Sequence, residues 1–316
     1  MSERKEIISS ESKKKIEEVA GDISVATKML VNASRNLRTS FTIETKHQAL
    51  SEIRTNVHNR ATLYSSKIMP FSALTVNDIK DFCEAIDSDY KNFKEDLDLI
   101  IKMAKISLDF CNFTVLFHEK ILTEFKEIEN KAFELVKQLE LDYKYSEERN
   151  KRTASSTLVS GATSIMSPIL GKEIKDDLKD SPEITRIHAM KHLGESINGY
   201  VDSLNKISGF FFLLLTDLSK IHDKVNDDDF DEMGKFYHRQ ITKQAKGITD
   251  ACNGYQTEVV RCKTDIDCIS GNHDRSYVNG WIQKVVEDNG KIIDFKSLLK
   301  KKSMIEIRCG VTITAN

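Results

Sequence analysis

FSALTVNDIKDFCEAIDSDYKNFKEDLDLIIKMAKISLDFCNFTVLFHEKILTEFKEIENKAFELVKQLELDYKYSEERNKRTASSTLVS, residues 71–160, contains neither glycine nor proline. Over most of it the apolar residues keep a helical period. Summed propensity over so long a window predicts one continuous helix starting near Val76, roughly 75 residues and ~110 Å at 1.5 Å per residue. No compact domain of this size has room for it, so the chain is expected to be a rod.

Two apolar seams run along this helix. One is Ile101, Ala104, Leu108, Cys111, Val115, His118, Leu122, Phe125; the other is Ile100, Met103, Phe110, Phe113, Phe117, Ile121, Ile128. A helix apolar over so much of its circumference is contacted from several sides, which puts residues 97–128 at the centre of a bundle. Past Ile128 the seam narrows to Ala132, Leu135, Val136, Leu139 and Tyr143, enough for one partner. The rod thins toward its far end.

There the composition changes. Residues 153–171 carry no charge in a chain that is 30% charged. Glu147, Glu148, Arg149, Lys151 and Arg152 precede this stretch, and Lys172, Glu173 and Lys175 follow it. Its apolar residues, Leu158, Val159, Ala162, Ile165, Met166, Ile169 and Leu170, are spaced like one face of a helix; the rest are Ser, Thr, Gly and Pro168. Such a segment can hide its apolar face against the rod in water and turn it toward acyl chains near lipid. The competing reading is a loop at the end of a helical hairpin, where Ser and Gly are expected in any case; the absence of charge over the whole stretch weighs against it.

Asp180 to Glu183 with Pro182 reads as the start of a returning helix, about 183–225. It holds the most apolar run of the chain, Ile207 to Leu215 (ISGFFFLLL). Nine residues are too few to span a bilayer, and a core role is expected. In an antiparallel hairpin folded about Gly161 and Ala162, this run falls opposite Leu108 to Leu116, with Phe113 and Phe117 packing on Phe210 to Leu215.

The flanks are helical too. Ile16, Val19, Ile23, Ala26, Leu30, Ala33 and Leu37 form a narrow seam, and Leu50, Ile53, Val57, Ala61, Tyr64 and Ile68 continue the spacing after a break around Ser40 to Thr45. Pro70 is expected to end that helix, with Thr75 and Asp78 as a capping-box-like restart. Phe230, Met233, Tyr237, Ile241, Ala245, Ile248, Cys252, Tyr255 and Val259 mark another amphipathic helix. Ser276 to Asp288 predicts a short helix closed by Asn289 and Gly290, a pair that also suits a hairpin turn. Ile305, Ile307, Cys309, Val311 and Ile313 alternate with polar residues and predict a short C-terminal strand without an evident partner.

Composition narrows the function. Three prolines, thirteen glycines and a formal net charge of −2 describe an all-α protein whose bulk charge does not suit nucleic acid. Met1 to Ser12 is polar, so no cleavable signal peptide is read. The chain is expected to be soluble as synthesised, cytoplasmic or released by a non-classical route, and then associated with a target membrane. The six cysteines are irregularly spaced, and Cys252, Cys262, Cys268 and His273 lack the short gaps of a zinc site, so no metal or other cofactor is expected. The acidic run Asn226 to Glu232 lacks the ligand alternation and glycine of a calcium loop. A phosphate loop at Gly171-Lys172 would need its first glycine at Met166 and Ser or Thr at Glu173. His188 and His192 lack the glutamate of a zinc-protease motif and read as two solvent-facing histidines. No constellation with a catalytic mechanism remains, and no enzyme is expected.

The order of elements, helices packed along a very long helix, an uncharged tongue and a long returning helix, resembles the cytolysin A superfamily of α-helical pore-forming toxins. That superfamily includes the haemolysin BL and non-haemolytic enterotoxin components and the two-component xenorhabdolysin-like toxins. Asn56, Tyr64, Ile68 and Pro70, then Asp78, Ile79, Phe82, Asp87, Tyr90 and Phe93, are similar to the family's aromatic, Ile-x-Pro and polar-aromatic lead-in. The likeness covers about residues 10–270 as an element order. It implies an elongated helical bundle (10–152 and 183–270), a tongue (153–182) that is released on lipid, and a C-terminal extension (271–316). As partners it implies a lipid membrane and either further copies of the chain or a companion toxin component. The tongue is less apolar than in the enterotoxin components, which favours membership of a multicomponent system, and the strand at 305–314 has no counterpart in the family. The competing expectation is a non-enzymatic structural protein, a rod-like coiled-coil bundle binding helical partners. A membrane-curving crescent is disfavoured, because Glu and Lys are mixed along the rod where such a protein needs a basic face.

Overall fold

The computed structural model describes residues 28–41, 48–158, 182–225, 230–269 and 273–301, with backbone alone for stretches such as 152–158 and 212–215. The protein is an all-α bundle. Its elements are α1 (residues 28–40), α2 (Gln48–Leu63), a π-helical segment (Tyr64–Ile68), α3 (Met69–Ile86), α4 (Tyr90–Glu95), α5 (Leu97–Leu158), α6 (Pro182–Val225), α7 (Phe230–Asp267), α8 (Arg275–Asp288) and α9 (Ile292–Lys301). The strand expected at 305–314 and the seam residues Ile16, Val19, Ile23 and Ala26 lie outside the described residues.

The long helix is present, with 62 residues and a length of ~93 Å. It starts at Leu97, about six turns later than the sequence reading placed it. Glycine and proline are absent from the junction, so the break comes from side chains. Asp89 takes extended backbone and its carboxylate accepts from the amides of Lys91 and Asn92 at 2.9 and 3.1 Å, an N-cap that stops α3 from running on. The Asp96 carbonyl then accepts from Leu99 and Ile100 and opens α5. Residues 69–86 therefore fold back along α5 as a separate helix.

The break expected at Pro70 is absent. Pro70 sits in the first turn of α3, where its missing amide costs little. The preceding turn is widened: the Met69 amide reaches back to the Tyr64 carbonyl, a five-residue π turn that accommodates the proline ring. Thr75 and Asp78 are inside the helix, not at its cap. Thr75 Oγ1 bonds Thr114 Oγ1 at 2.7 Å, and Asp78 Oδ2 accepts from Ser107 Oγ at 2.6 Å. From Arg60 to Asp78 the chain is thus one antiparallel partner for α5 between Ser107 and Glu124.

Both predicted seams of α5 are used. Cys111, His118 and Phe125 face α6: Cys111 Sγ donates to the Phe211 carbonyl at 3.3 Å, His118 lies 5.0 Å from the Phe211 ring, and Phe125 4.8 Å from Tyr200. Phe211 therefore meets α5 in and just past the window expected for it. Phe113 and Phe117 pack on rings of other helices; of the 210–215 run expected opposite them, Phe211 alone has a described side chain, and it meets Cys111 and His118 instead. Phe113 lies 4.8 Å from Phe295 of α9, and Phe117 lies against Phe71, Trp281 and Phe295 at 5.2 to 6.1 Å. The reason is angular: Phe113 and Phe117 are on the second seam, which the hairpin partner cannot also cover. The helix at 275–288 forms as expected, with Asn289 at its C-cap and Gly290 at φ +65°, where a side chain would be strained.

The remaining helices close the base. In α7, His238 bonds the Ile86 carbonyl at 3.2 Å and stacks on Phe93, Lys246 pairs with Asp87 at 3.3 Å, and Gln256 reaches Asn77 and Lys80. In α1, Arg35 and Arg38 pair with Asp265 near the end of α7. Cys83 and Cys252 are buried between α3 and α7, and burial pushes the Cys83 thiol up to about 12.

The rod shape has a direct consequence. Small-angle scattering should give a maximum dimension of at least ~90 Å, against about 50 Å for a sphere with the radius of gyration of a compact domain of this length; a value near the sphere would rule the bundle out. Phe113→Ala and Phe295→Ala should each cost about 3–5 kcal/mol in urea titrations and couple by ~0.5–1.5 kcal/mol in a double-mutant cycle. Phe113→Ala with Phe211→Ala should be additive, and coupling in that second pair alone would restore the discarded register.

Candidate functional site: the α5–α6 hairpin

The expected membrane-facing residues lie where α5 and α6 are joined. Leu158 is the last residue of α5, and its side chain is not described. Val159, Ala162, Ile165, Met166, Ile169 and Leu170 lie outside the described residues. What the structure does describe is the antiparallel pair, α5 and α6, between which that stretch lies in the chain.

The helices are held antiparallel along the outer hairpin. Asn198 donates to Glu129 at 2.8 Å, and Lys191 pairs with Glu140 at 2.7 Å. The bond from Lys191 and its charge hold the Glu140 carboxyl below its ordinary value. Ile187, Met190, Leu193 and Ile197 of α6 are buried, while Leu135, Val136 and Leu139 of α5 are half-buried against the core. Thus α5 has lost most of its neighbours by Ala132, as the narrowing seam implied. Outside that contact a row in steps of four is left apolar: Phe133 is 60% exposed, Leu141 48% and Tyr145 69%, with the Lys137 ammonium 4.4 Å above the Phe133 ring. The sequence reading had not singled out this row, although its spacing was visible. At the last described side chains, Lys151 pairs with Glu147 at 2.8 Å, a bond that raises the lysine's pKa.

The base of the hairpin is clamped by one carboxylate. Glu124 of α5 pairs with Arg60 of α2 at 3.0 Å and accepts from Tyr277 Oη and Trp281 Nε1 of α8, each at 2.6 Å. The Arg60 guanidinium also lies over the Tyr277 ring. Burial, followed by the bond to Glu124 and its charge, pushes the Tyr277 hydroxyl well above its usual pKa. A carboxylate with two hydrogen-bond donors and one ion pair fixes α2, α5 and α8 at one level.

The histidines divide. His188 is exposed as expected, but His192 is half-buried, with Nδ1 2.7 Å from Ser40 Oγ, which also lies 3.1 Å from Ser196 Oγ. The helical spacing was read correctly; what it could not show is that α1 ends against this turn. His58 is buried with ring edges against Phe41 and His273, and burial, then the His273 charge, lowers its pKa. A half-open groove of about 490 Å³ between α5 and α9 is lined by Lys105, Asp109, Asn112, Phe113, Lys291 and Asp294 among others. Among the described residues no three His, Cys, Asp or Glu side chains are placed to hold a metal ion, and no helix is long and apolar enough to cross a membrane.

No family model matches the chain, and no curated protein or solved structure matches it either.

The Glu124 clamp is open to a spectroscopic test, because Trp281 is the chain's one tryptophan. Glu124→Gln removes the charge and turns an amide toward the donors. It should cost about 1.5–3 kcal/mol and shift Trp281 emission to the red in the native baseline. Unchanged emission and midpoint would mean that the aromatic cluster alone holds α8.

Proposed function

We propose that the chain is a membrane-interacting protein of the α-pore-forming-toxin kind. It acts as one component of a multicomponent system and meets lipid through residues 153–171. The observation that supports this reading is that a 62-residue helix and a 44-residue helix pack antiparallel, and the uncharged, amphipathic stretch begins in the last turns of the first and runs into the connection between them. A rod holds such a stretch far from the core, where it can leave water without unfolding the base. Leu158, Val159, Ala162, Ile165, Met166, Ile169 and Leu170 are the residues assigned to lipid. Each well-buried side chain contributes ~1.5–3 kcal/mol, so a few suffice to hold a protein at a surface. Further copies or a companion component complete the assembly.

A second reading is a rod that binds helical partners in water, and the exposed row Phe133, Leu141 and Tyr145 favours it. Dye release from liposomes separates the two. The purified protein, alone or with the products of neighbouring genes, is expected to bind and permeabilise vesicles. Ile165→Asp should keep helix content and abolish lipid binding, since a central carboxylate adds about 2.5–3.5 kcal/mol against insertion. Ser164→Asn, on the opposite face, should do much less. If Ile165→Asp releases dye as the parent does, the stretch is only a connecting loop; if no combination touches lipid, the partner-binding rod takes its place.

A further inference from the structure

One buried titratable group belongs neither to the hairpin tip nor to the Glu124 clamp. His118 is fully buried where the π segment, α5 and α6 meet. Its Nδ1 lies 2.8 Å from the Thr114 carbonyl, an atom that only accepts, so Nδ1 carries the ring proton. Nε2 of the neutral ring is then an acceptor, and the Tyr64 hydroxyl donates to it across 3.3 Å. The Tyr64 ring stands edge-on to the imidazole and the Phe211 ring of α6 lies tilted over it at 5.0 Å. Tyr64 is the first residue of the π turn, so the geometry that accommodates Pro70 also sets the phenol on the histidine.

Among the described residues the groups around the ring carry no free negative charge to balance a positive one. From the α2 side they are Tyr64 and, one turn before it, Arg60, whose guanidinium is already paired with Glu124. From α6 they are Phe211 and Tyr200, with Tyr255 of α7 behind Phe211. On α5 itself the neighbours are Thr114 and Cys111, while Glu119 and Lys120 are exposed to solvent. A proton arriving at Nε2 turns the acceptor of the Tyr64 bond into a second donor. The phenol must then rotate its own proton away or leave.

We propose that His118 is an acid-sensitive latch: protonation at Nε2 loosens the π segment and the adjoining end of α2 from α5, while the rest of the base stays folded. One further observation agrees with the direction. Burial lowers the His118 pKa to about 4, opposed only by the Thr114 carbonyl. The unfolded chain, with histidine near ~6.5, therefore binds more protons than the folded one between these values. Stability from this group is full above pH ~6.5 and is lost as pH falls toward 4. By that linkage the folding equilibrium constant should fall about 30-fold between pH 7.5 and 5.0 on account of His118. The latch does not depend on the tip meeting lipid.

The test uses the full chain. Urea titrations at both pH values are expected to show the wild type losing about 30-fold more in its folding constant than His118→Gln, which keeps a polar group but does not titrate. His58→Gln serves as the control at a second buried histidine and should leave most of the loss in place. Hydrogen exchange at pH 5.0 should speed up in residues 60–69 of the wild type and not in His118→Gln. Equal pH losses in wild type and His118→Gln would overturn the proposal, as would faster exchange spread evenly over the bundle. Should His118→Gln fail to fold, imidazole NMR of the wild type decides: a His118 resonance titrating near ~6.5 overturns the latch, and one still neutral at pH 5.5 supports it.

Discussion

A helix of 62 residues has nothing to fold against but other helices, and α5 is apolar over most of its circumference between Ile100 and Ile128. That surface must be covered on several sides at once, and the base of the molecule is the arrangement that covers it. α6 takes the side of Cys111, His118 and Phe125; α3 and the C-terminal helices take the side of Phe110, Phe113 and Phe117. Phe71 and Phe295 insert between them as a shared aromatic layer. Removing any one partner would expose large side chains that contribute on the order of 1.5–3 kcal/mol each, so the helices of the base stabilise one another.

Most of this was legible because it follows from period and composition. The long helix, its two seams, the thinning toward Tyr143 and the antiparallel return with Phe211 near Cys111 could all be read from spacing. Two boundaries could not, for related reasons. Pro70 looked like a stop because the α-helical ladder has no place for its ring, but a π turn widens the ladder by one residue and absorbs it. The Asp87–Asp89 junction looked like helix because it lacks glycine and proline, yet an aspartate accepting two amides ends a helix as well as either. Local chemistry of this kind has no period, so a reading founded on period passes over it.

Partner identity was the harder question. Phe113 and Phe117 were assigned to the hairpin because the apolar run near Phe211 was the most obvious mate for them. In three dimensions they point about a third of the helix circumference away, toward a C-terminal pair whose Trp281 and Phe295 are ordinary amphipathic residues in sequence. The same blindness hid the contact between His192 and Ser40, since nothing in one helix says which distant turn will lie beside it. The tip residues are assigned from the absence of charge and from apolar spacing like one face of a helix.

Apolar rows tolerate sliding by a turn, and polar contacts show where sliding is prevented. Along the antiparallel seam with α5 they recur at short intervals: Arg60 with Glu124, Tyr64 with His118, Thr75 with Thr114, and Asp78 with Ser107. Each is wholly or mostly withdrawn from water, so a shift of one turn would strand its donors and acceptors in the core at about 1–3 kcal/mol apiece. On the hairpin beyond Ala132 Lys191 reaches across to Glu140, both substantially exposed, and exposed pairs contribute little. The two halves of α5 therefore differ in kind. The inner half is held in register by buried polar contacts on a filled core, and the outer half is held by a thin apolar strip that can open locally without disturbing the base. A bundle built this way keeps its rigidity at one end and leaves the end that carries the uncharged stretch the easier to rearrange.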